Sequence, residues 1–511
     1  MRRSRGRATM SAALAARGSR LPRHPMKLRR ALSSVPPMPS FASVDKSLQP
    51  LLWLVAVGLF MQTLDATIVN TALPAMARSL SESPLQMQSV IIAYTLTTAM
   101  LMPASGWLAD RFGTRRMFFT AIFLFAVGSL LCAESRTLTM LIVSRVVQGV
   151  GGALLMPVGR LTVLRVVPRE QFLPAMSFVT IPGLIGPLIG PALGGWLVEA
   201  VSWHWIFLIN LPVGVIGALV TLKVMPDVRG DASDTFDWAG YLMLAFGMAA
   251  VSFSLDGLSD LGFRHATVLV LLMFGLAALT AYWLHAGRAK QALFPRELFA
   301  IPSFSVGILG NLFARIGAGG MPFLIPLLLQ VGLGYSPMQA GLMMVPVAVA
   351  GMAAKPLGTW LVKRHGYRRM LFGNTLLLGL MIVSFALSSA QEPLWLRIVQ
   401  LAAFGTFNSM QFTAMNALTL RDLSGAQASA GNSMLSMVMM LSMSLGVAAA
   451  GALLNGFSEY AGGQPADTLG AFHKAYICVG LITSAAGWIF AQLPHEAAPQ
   501  AVRRVEAEAA E

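Results

Sequence analysis

The 511-residue sequence predicts an all-α polytopic membrane protein, built as two related six-helix bundles with two further transmembrane helices inserted between them. Composition is the first reason, because 56% of the residues are hydrophobic and only 12% are charged, which is about half the charged fraction of a soluble domain. Apolar runs of roughly 20 residues, the length that a helix needs to cross a bilayer, recur along the chain. The sequence also repeats itself at an offset of 253 residues.

The apolar runs define fourteen predicted transmembrane helices. Backbone groups in lipid must find their hydrogen bonds within the protein, and runs this long and uniform are typical of helices rather than barrel strands. The predicted spans are 51–73, 85–107, 116–134, 138–159, 172–200, 205–224, 236–256, 265–285, 303–330, 338–361, 370–390, 394–419, 427–455 and 473–493.

These spans group into domains along the chain. A basic N-terminal tail rich in arginine, serine and proline is expected to be disordered, and internal methionines offer alternative starts for the protein. The predicted divisions are this tail (1–45), a first six-helix bundle (46–225), two inserted helices (226–290), a second six-helix bundle (291–495) and a cytoplasmic tail (496–511).

The internal repeat requires no gap. At the 253-residue offset, Ser83, Pro84, Trp107, Arg111 and Gly113 align with Ser336, Pro337, Trp360, Arg364 and Gly366. Predicted spans 1–6 therefore correspond to spans 9–14. Two halves repeated in parallel are an architecture of secondary transporters.

The positive charges indicate the orientation in the membrane. Most of the 37 lysines and arginines fall on the tails and on alternate loops, so the positive-inside rule places both termini in the cytoplasm. The net charge of +15 thus reports topology and does not indicate a nucleic-acid partner. The lipid bilayer is the partner that the composition predicts.

Neither a cofactor nor an enzymatic activity is indicated by the sequence. The two cysteines, Cys132 and Cys478, lie far apart in apolar stretches and are expected to be packing residues. The spans carry no zinc-binding pair of histidines, no nucleophile beside its base and no phosphate loop. A channel would be expected to show rings of charge or a carbonyl filter, which two repeated halves do not resemble.

An acidic residue interrupts the first apolar run. Asp65 lies in LDATIVNTALP (Leu64 to Pro74), where an aspartate at a helix centre costs about 2.5 to 3.5 kcal/mol to insert. Such a residue faces a cavity or a partner. It is either a titrating or ligand-binding group, or an acid that is paired only to hold two helices together.

A short basic loop joins spans 2 and 3 with the sequence GWLADRFGTRR. Gly106 and Gly113 permit a tight turn, and Asp110 at the negative end of a helix requires cationic partners. The neighbouring candidates are Arg111, Arg115 and Arg116. The second copy of this loop carries Lys363 in place of Asp110, which makes a symmetric pair of latches doubtful. A loop of this kind can alternatively serve only to set topology.

Two further motifs lie in spans 4 and 5. The segment LIVSRVVQGVGG places Arg145 about two turns inside span 4. Span 5 reads GLIGPLIGPALGG, in which small residues recur on one helix face and permit close helix approach. The residues of this packing motif are Gly183, Gly186, Pro187, Gly190 and Gly194.

The loop and both of these motifs resemble those of the major facilitator superfamily. Together with SWHWIFLINLPVG and LDATIVNTALP, they are similar to its fourteen-helix drug:proton antiporter branch over most of residues 50–490. The resemblance implies two six-helix bundles around a central cavity in the bacterial cytoplasmic (inner) membrane. It also implies that the loop latches a cytoplasmic gate, that Arg145 assists proton transfer, and that the span 5 motif marks exporters.

The expected proton-coupling residues are Asp65 and Arg145. At 1.5 Å per residue they lie about 12 Å and about 10 Å below the external ends of their helices, and therefore at similar depth. Arg315, which the offset relates to Gln62, is a second candidate partner for the carboxylate. The expected substrate cavity contains Gln62, Asn70, Asn311, Arg315 and Lys355.

Two substrate classes remain open. Methionine-rich segments in spans 10 and 13 suit varied lipophilic ligands, although methionines are also ordinary core residues. The excess of cations over acids within the spans would instead suit an organic anion or a carboxylate metabolite. The sequence thus predicts a multidrug efflux antiporter, with organic-anion export as the alternative. Its partners would be protons and a small-molecule substrate, and the sequence leaves open whether a periplasmic adaptor takes part.

Overall fold

The computed structural model describes residues 45–230, 236–261, 265–289, 291–460 and 465–494. Within these ranges the secondary structure is helical, and they contain no strand. Twelve stretches in the described part of the chain are long and apolar enough to cross a membrane. The predicted all-α class is therefore confirmed. The predicted tails, 1–45 and 496–511, lie outside the described residues except for Asp45.

The first region has eight helical segments, since a predicted span is in places divided. They are α1 (Gln49–Leu80), α2 (Gln88–Leu101), α3 (Ser105–Phe112), α4 (Thr114–Ala133), α5 (Leu138–Val166), α6 (Arg169–Ala200), α7 (Trp205–Leu208) and α8 (Asn210–Val224). A short 3₁₀ turn (Met102–Ala104) joins α2 to α3.

Two helices separate this region from the second one. The inserted helices are α9 (Trp238–Leu261) and α10 (Ala266–Ala286). The second region contains α11 (Pro302–Leu327), α12 (Pro337–Met343), α13 (Val345–Ser384), α14 (Leu394–Leu420), α15 (Gly425–Tyr460) and α16 (Pro465–Ala491). A π-helical turn (Leu328–Gly332) extends α11.

Local sequence signals account for several helix starts. The Thr137 side chain accepts a hydrogen bond from the Met140 amide at the beginning of α5. At the beginning of α12, Ser336 and Gln339 form a reciprocal capping box. These caps satisfy backbone donors that the first turn of a helix leaves without partners.

The helix boundaries follow the 253-residue offset. Gly113 (φ 90°) and Gly366 (φ 76°), which the offset aligns, both adopt the left-handed conformation that favours glycine. Gly113 separates α3 from α4, whereas Gly366 is a one-residue break inside the helical stretch Pro337–Leu387. The sequence predicts two spans in that stretch with a loop between them, and the loop is reduced to this break.

Helix α9 contacts both regions. The Gln88 amide of α2 donates to the Asp256 carboxylate (3.0 Å), and the Ser252 and Ser444 hydroxyls of α9 and α15 are 3.0 Å apart. Neither inserted helix contributes a side chain to the cavities of about 250 and 720 Å³ described below. Their predicted place outside the central cavity is consistent with these contacts.

The two regions are packed closely at one end of the molecule. We call the end that carries the Gly106–Arg116 loop the basic end, and the other the distal end. At the distal end the Gln330 amide donates to the Thr71 carbonyl (2.9 Å), and the Met338 amide donates to the Glu199 carboxylate (2.8 Å). At the basic end a large cavity separates the regions.

Candidate functional site

Asp65 and Arg145 form a buried ion pair inside the first region. Asp65 in α1 and Arg145 in α5 are each 1% exposed, and Arg145 Nη1 lies 2.8 Å from Asp65 Oδ2. The sequence-based expectation that they lie at the same depth agrees with this contact. Pairing is required here because an isolated buried charge would be far too costly.

Two amides complete the shell around the carboxylate. Gln148 Nε2 donates to Asp65 Oδ1 at 2.8 Å, and Asn210 Nδ2 donates to the same oxygen at 3.2 Å. Both amides also donate to the Ser129 hydroxyl. Helices α1, α4, α5 and α8 therefore meet at one polar cluster, which we call the Asp65 cluster: Asp65, Ser129, Arg145, Gln148 and Asn210.

The arginine has a second set of contacts. Its guanidinium carbon lies 4.3 Å from the centre of the Tyr94 ring, which is a cation–π distance, and its Nε donates to the Val90 carbonyl at 3.3 Å. Since both oxygens of Asp65 accept hydrogen bonds and the whole cluster is buried, the carboxylate can exchange a proton with water only if these helices move apart.

Sequence reasoning missed Gln148, Asn210 and Ser129. Gln148 lies three residues after Arg145, one turn along the same helix face, and this spacing is the signal that could have identified it. Asn210 stands within the apolar SWHWIFLINLPVG segment. Ser129 offers no comparable signal.

Arg315 does not contact Asp65. Its Nη2 donates to Asn311 Oδ1 one turn earlier in α11 (3.0 Å), and its guanidinium lies 4.5 Å from the centre of the Phe412 ring. Asn311 in turn donates to Thr419 Oγ1 at 3.2 Å. Of the two candidate partners for the carboxylate, the structure pairs Arg145 alone.

Two of the five expected cavity residues line a common cavity. Asn70 and Lys355 face a space of about 250 Å³ between α1, α6, α11, α13 and α14. Pro187 of the packing motif lines it too. Gln62 is instead turned into the first region, where it donates to the Gly152 carbonyl (2.9 Å).

The predicted methionines divide between cavity and core. Met344, between α12 and α13, and Met352 of α13 line the 250 Å³ cavity. Met434 and Met437 of α15 are buried in a hydrophobic cluster with α9 and α11. The alternative reading, in which such methionines are core residues, therefore describes these two methionines of α15.

The largest cavity, of about 720 Å³, opens between the regions at the basic end. One wall is formed by α5, α6 and the turn that precedes α3, and the facing wall by the beginning of α15. Its polar lining consists of Ser105, Arg160, Ser429, Asn432, Ser433 and Ser436.

The partner of Asp110 differs from the expectation. The neighbouring arginines were expected to neutralise it, but Arg165 at the end of α5 forms the ion pair at 2.6 Å. Arg111 lies against the Trp107 ring and Arg115 donates to the Met225 carbonyl, while Arg116 is exposed. The expectation was wrong because helix α5, distant in sequence, returns to the same end of the bundle.

The glycines of the span 5 motif place α6 directly on α1. A Cβ atom on Gly186 would lie 2.8 Å from the Leu64 backbone nitrogen, and one on Gly194 would lie 2.6 Å from the Ile68 carbonyl oxygen. Gly183 and Gly190 similarly face the Leu59 and Thr67 side chains. By contrast, a Cβ on Gly106 would meet nothing within 4 Å, so this glycine does not serve a close approach.

The cysteines take no part in a metal site within the described residues, which contain no cluster of potential metal ligands. Cys132 is buried next to the Asp65 cluster, with its sulfur 3.8 Å from Gln148 Oε1.

Comparison with known proteins gives concordant results. Residues 55–447 match the Major Facilitator Superfamily. A relative from Pectobacterium atrosepticum, named "Putative multidrug resistance protein MdtD", is 52% identical over 88% of this chain and 96% of its own length. A relative of the same name from Serratia proteamaculans is 52% identical over 88% of this chain and 94% of its own length.

Solved structures share the fold. A peptide transporter POT in complex with sulfate has a TM-score of 0.63 and 16% identity, covering 90% of this chain and 96% of the other. A D-xylose-proton symporter has a TM-score of 0.61 and 13% identity, covering 88% of this chain and 99% of the other. At these identities the likeness concerns the fold alone.

Proposed function

The chain belongs to the Major Facilitator Superfamily, and on that premise we propose that it is a proton-coupled antiporter that exports small lipophilic or drug-like molecules. The name of its relatives, which refers to multidrug resistance, supports this substrate class. The observation that carries the proposal is the buried Asp65–Arg145 pair, because ionisable residues inside membrane helices commonly mark proton or substrate paths.

The proposed topology has fourteen crossings, with both termini in the cytoplasm of a bacterium and the protein in its inner membrane. Two features support a count above the twelve candidate stretches: the break at Gly366 within Pro337–Leu387, and the 27-residue length of α14. The first bundle would comprise residues 46–225, the inserted pair 226–290, and the second bundle 291–495.

In this topology the structure corresponds to an inward-facing state. The distal end is closed by close contacts between the regions: a Cβ on Gly195 would lie 2.8 Å from Met338 Cα, and one on Gly341 would lie 3.0 Å from Ala192 Cα. The basic end holds the 720 Å³ cavity, from which substrate would enter. Opening the distal end requires α6 and α12 to separate.

Proton coupling would then operate through the Asp65 cluster. Protonation of Asp65 removes the negative charge that holds Arg145, and so it weakens the link between α1 and α5. One proton moving down 100 mV supplies about 2.3 kcal/mol, enough for roughly a fiftyfold substrate gradient. The Asp110–Arg165 pair, with Gly106, Arg111, Gly113, Arg115 and Arg116, is the proposed gating loop.

The test uses the Asp65→Asn variant in proteoliposomes with an imposed pH difference. The variant keeps the size of the side chain but cannot carry a proton, so uphill dye export should stop while counterflow, which needs no net proton movement, continues. The matched control is Glu134→Gln, an exposed acid at the distal end, which should behave as wild type. Uphill export by Asp65→Asn with only a pH difference would falsify the coupling role.

A second candidate function is export of an organic anion. Lys355 lines the 250 Å³ cavity, and Arg315 lies in α11 beside Phe412. Within the described residues neither cation forms a salt bridge, so an anionic substrate would supply their counter-charge. Loss of uptake of carboxylate probes, but not of cationic dyes, in Lys355→Gln vesicles would favour this candidate.

A further inference from the structure

Helix α5 contains three arginines, Arg145, Arg160 and Arg165, and they differ in their partners. Arg145 pairs with Asp65 at 2.8 Å, and Arg165 pairs with Asp110 at 2.6 Å. Arg160, which lies between them, forms no ion pair or hydrogen bond with the described residues, and its Nε is buried without a partner. A desolvated guanidinium nitrogen is costly unless something else satisfies it.

Arg160 lines the 720 Å³ cavity, and its surroundings there are suited to an anion. Among the residues that the structure describes, none with an acidic side chain lines this cavity. The facing wall, at the beginning of α15, presents the hydroxyl and amide groups of Asn432, Ser433 and Ser436. A guanidinium offers planar paired donors that match a carboxylate, and it does so with more effect in a partly desolvated cavity than in water.

The rest of the lining is apolar. Met156, Leu161, Phe172, Met176 and Phe294 surround the polar groups. An apolar wall with a few convergent polar groups is the usual composition of a small-molecule site. The ligand that matches it has a hydrophobic body and one acidic group.

We propose that Arg160 binds the carboxylate of amphiphilic acids that enter from the basic end, so that lipophilic acids are a preferred substrate class. This inference rests on the proposed export function, whose cavity it uses. The Asn432 amide and the Ser433 hydroxyl of α15 would donate to the same carboxylate, whereas the Ser436 hydroxyl already donates to the Asn432 carbonyl. The ring of the ligand would contact the methionines and phenylalanines.

The experiment measures equilibrium binding to the purified full chain in detergent, without a proton gradient. The probes are 1-naphthaleneacetate and 1-naphthaleneacetamide, which share their ring system and differ in charge at neutral pH. Wild type should bind the acid about tenfold or more tightly than the amide, as expected for a charge-assisted hydrogen bond. Arg160→Gln should remove this preference and leave amide binding unchanged.

Two further variants separate a binding role from a structural one. Arg160→Lys keeps the charge but loses the paired donors, so its affinity for the acid should lie between those of wild type and Arg160→Gln. Arg136→Gln removes an exposed arginine outside the cavity and should change neither probe. Unchanged amide binding by Arg160→Gln also shows that the variant is folded.

Three results would overturn the proposal: acid and amide bind wild type equally, the acid fails to bind wild type, or Arg160→Gln weakens both probes alike. Because the binding measurement applies no proton gradient, its result does not depend on whether the protein couples export to protons. Uphill export by Asp65→Asn would contradict the antiport mechanism but not the Arg160 site. Equal binding of the acid and the amide by wild type would contradict the Arg160 site but not the antiport mechanism.

Discussion

The two repeated regions begin several of their helices at equivalent positions but differ in their interiors. At the 253-residue offset, Asp65, Ser129 and Gln148 correspond to Ala318, Ile382 and Leu401, all of which lie in one hydrophobic core cluster. The second region thus packs the same helices with apolar side chains. The Asp65 cluster is therefore not a requirement of the fold, which argues against the reading of Asp65 as a mere link between helices.

The regions also differ in which helix carries the small residues. In the first region the glycines lie on α6, where Gly186 and Gly190 face the backbone or side chains of α1. At the equivalent positions α15 has Met439 and Met443. Here α11 supplies the small residue instead, because a Cβ on Gly319 would lie 3.2 Å from Met443 Cα. Close packing of the two helices is thus preserved, but the small residue lies on α6 in the first region and on α11 in the second.

The largest expected difference concerns Arg145 in the first region and Arg315 in the second. Arg145→Leu leaves Asp65 buried without a cation, and breaking a buried pair in this way typically costs about 3–5 kcal/mol. Arg315→Leu strands no carboxylate within the described residues and should cost far less. Thermal unfolding in detergent, followed by circular dichroism, would compare the two variants.

Ile398→Leu, at the position equivalent to Arg145, is the control for packing changes alone. Similar losses of stability for Arg145→Leu and Arg315→Leu would contradict the view that the cost of Arg145→Leu comes from leaving Asp65 without its cation.

The next largest effect tests the exchange of small residues. Gly186→Val in α6 would force its side chain against the Leu64 nitrogen and the Thr63 hydroxyl, and overpacking of this kind costs about 1–3 kcal/mol. Met439→Val at the equivalent position of α15 should cost less, since it introduces no backbone collision. Unfolding midpoints and export rates measure both.

Gly373→Ala in α13 is the matched control, because a Cβ there would meet nothing within 4 Å. It should be neutral or slightly stabilising, since alanine favours helix over glycine by about 1 kcal/mol. Equal changes in unfolding midpoint for Gly186→Val and Met439→Val would show that α6 and α15 tolerate valine equally well at these equivalent positions.

The charge pair was predictable from the sequence, and its amide shell was not. Asp65 and Arg145 stand out because charges inside apolar helices are expensive, and helix rise alone gives their depth. Gln148 and Asn210 are cheap to bury when hydrogen-bonded, so their presence carries little signal. Which side of a helix faces which neighbour depends on the packing of several helices, and depth does not reveal it.

The dependence of contacts on helix packing also explains why the partner of Asp110 was not predicted. The sequence identified a helix-terminal acid that needs a cation, but the nearest arginines in sequence point elsewhere, and Arg165 arrives from the far end of α5. The repeat, in contrast, aligned Gly113 with Gly366 without a gap, and both have positive φ in the structure. Patterns local to one segment were thus easier to predict than contacts between segments.

A smaller difference is expected at these two glycines. Gly113→Ala and Gly366→Ala both place a Cβ at positive φ with an extended ψ, a conformation that only glycine adopts readily and that costs about 1–3 kcal/mol. At Gly113 the Cβ would also collide with the Asp227 side chain, so Gly113→Ala should lower the unfolding midpoint more. Gly113→Ala with Asp227→Ala relieves that collision and should bring the two positions to equal cost. If Gly113→Ala with Asp227→Ala still lowers the unfolding midpoint more than Gly366→Ala does, this explanation is contradicted.

The smallest effect on stability, and the one most specific to gating, is expected at Asp110. Its pair with Arg165 is partly exposed and worth only about 0.2–1 kcal/mol, so Asp110→Asn should barely change the unfolding midpoint. The pair joins α3 to α5 within the first region and thereby fixes the position of the loop. In the proposed gating role, this loop is held against the second region when the basic end closes, so its release should favour the state with the basic-end cavity open.

The measurement is the rate at which a maleimide reacts with Ser433→Cys, which lines that cavity, after Cys478→Ser removes the less buried native thiol. Asp110→Asn should raise this rate, whereas Lys363→Gln, at the equivalent position of the second region, should not. Because Lys363 is exposed and forms no salt bridge within the described residues, its removal frees no loop. Equal rates in the Ser433→Cys parent, in Asp110→Asn and in Lys363→Gln would mean that the first loop sets topology only.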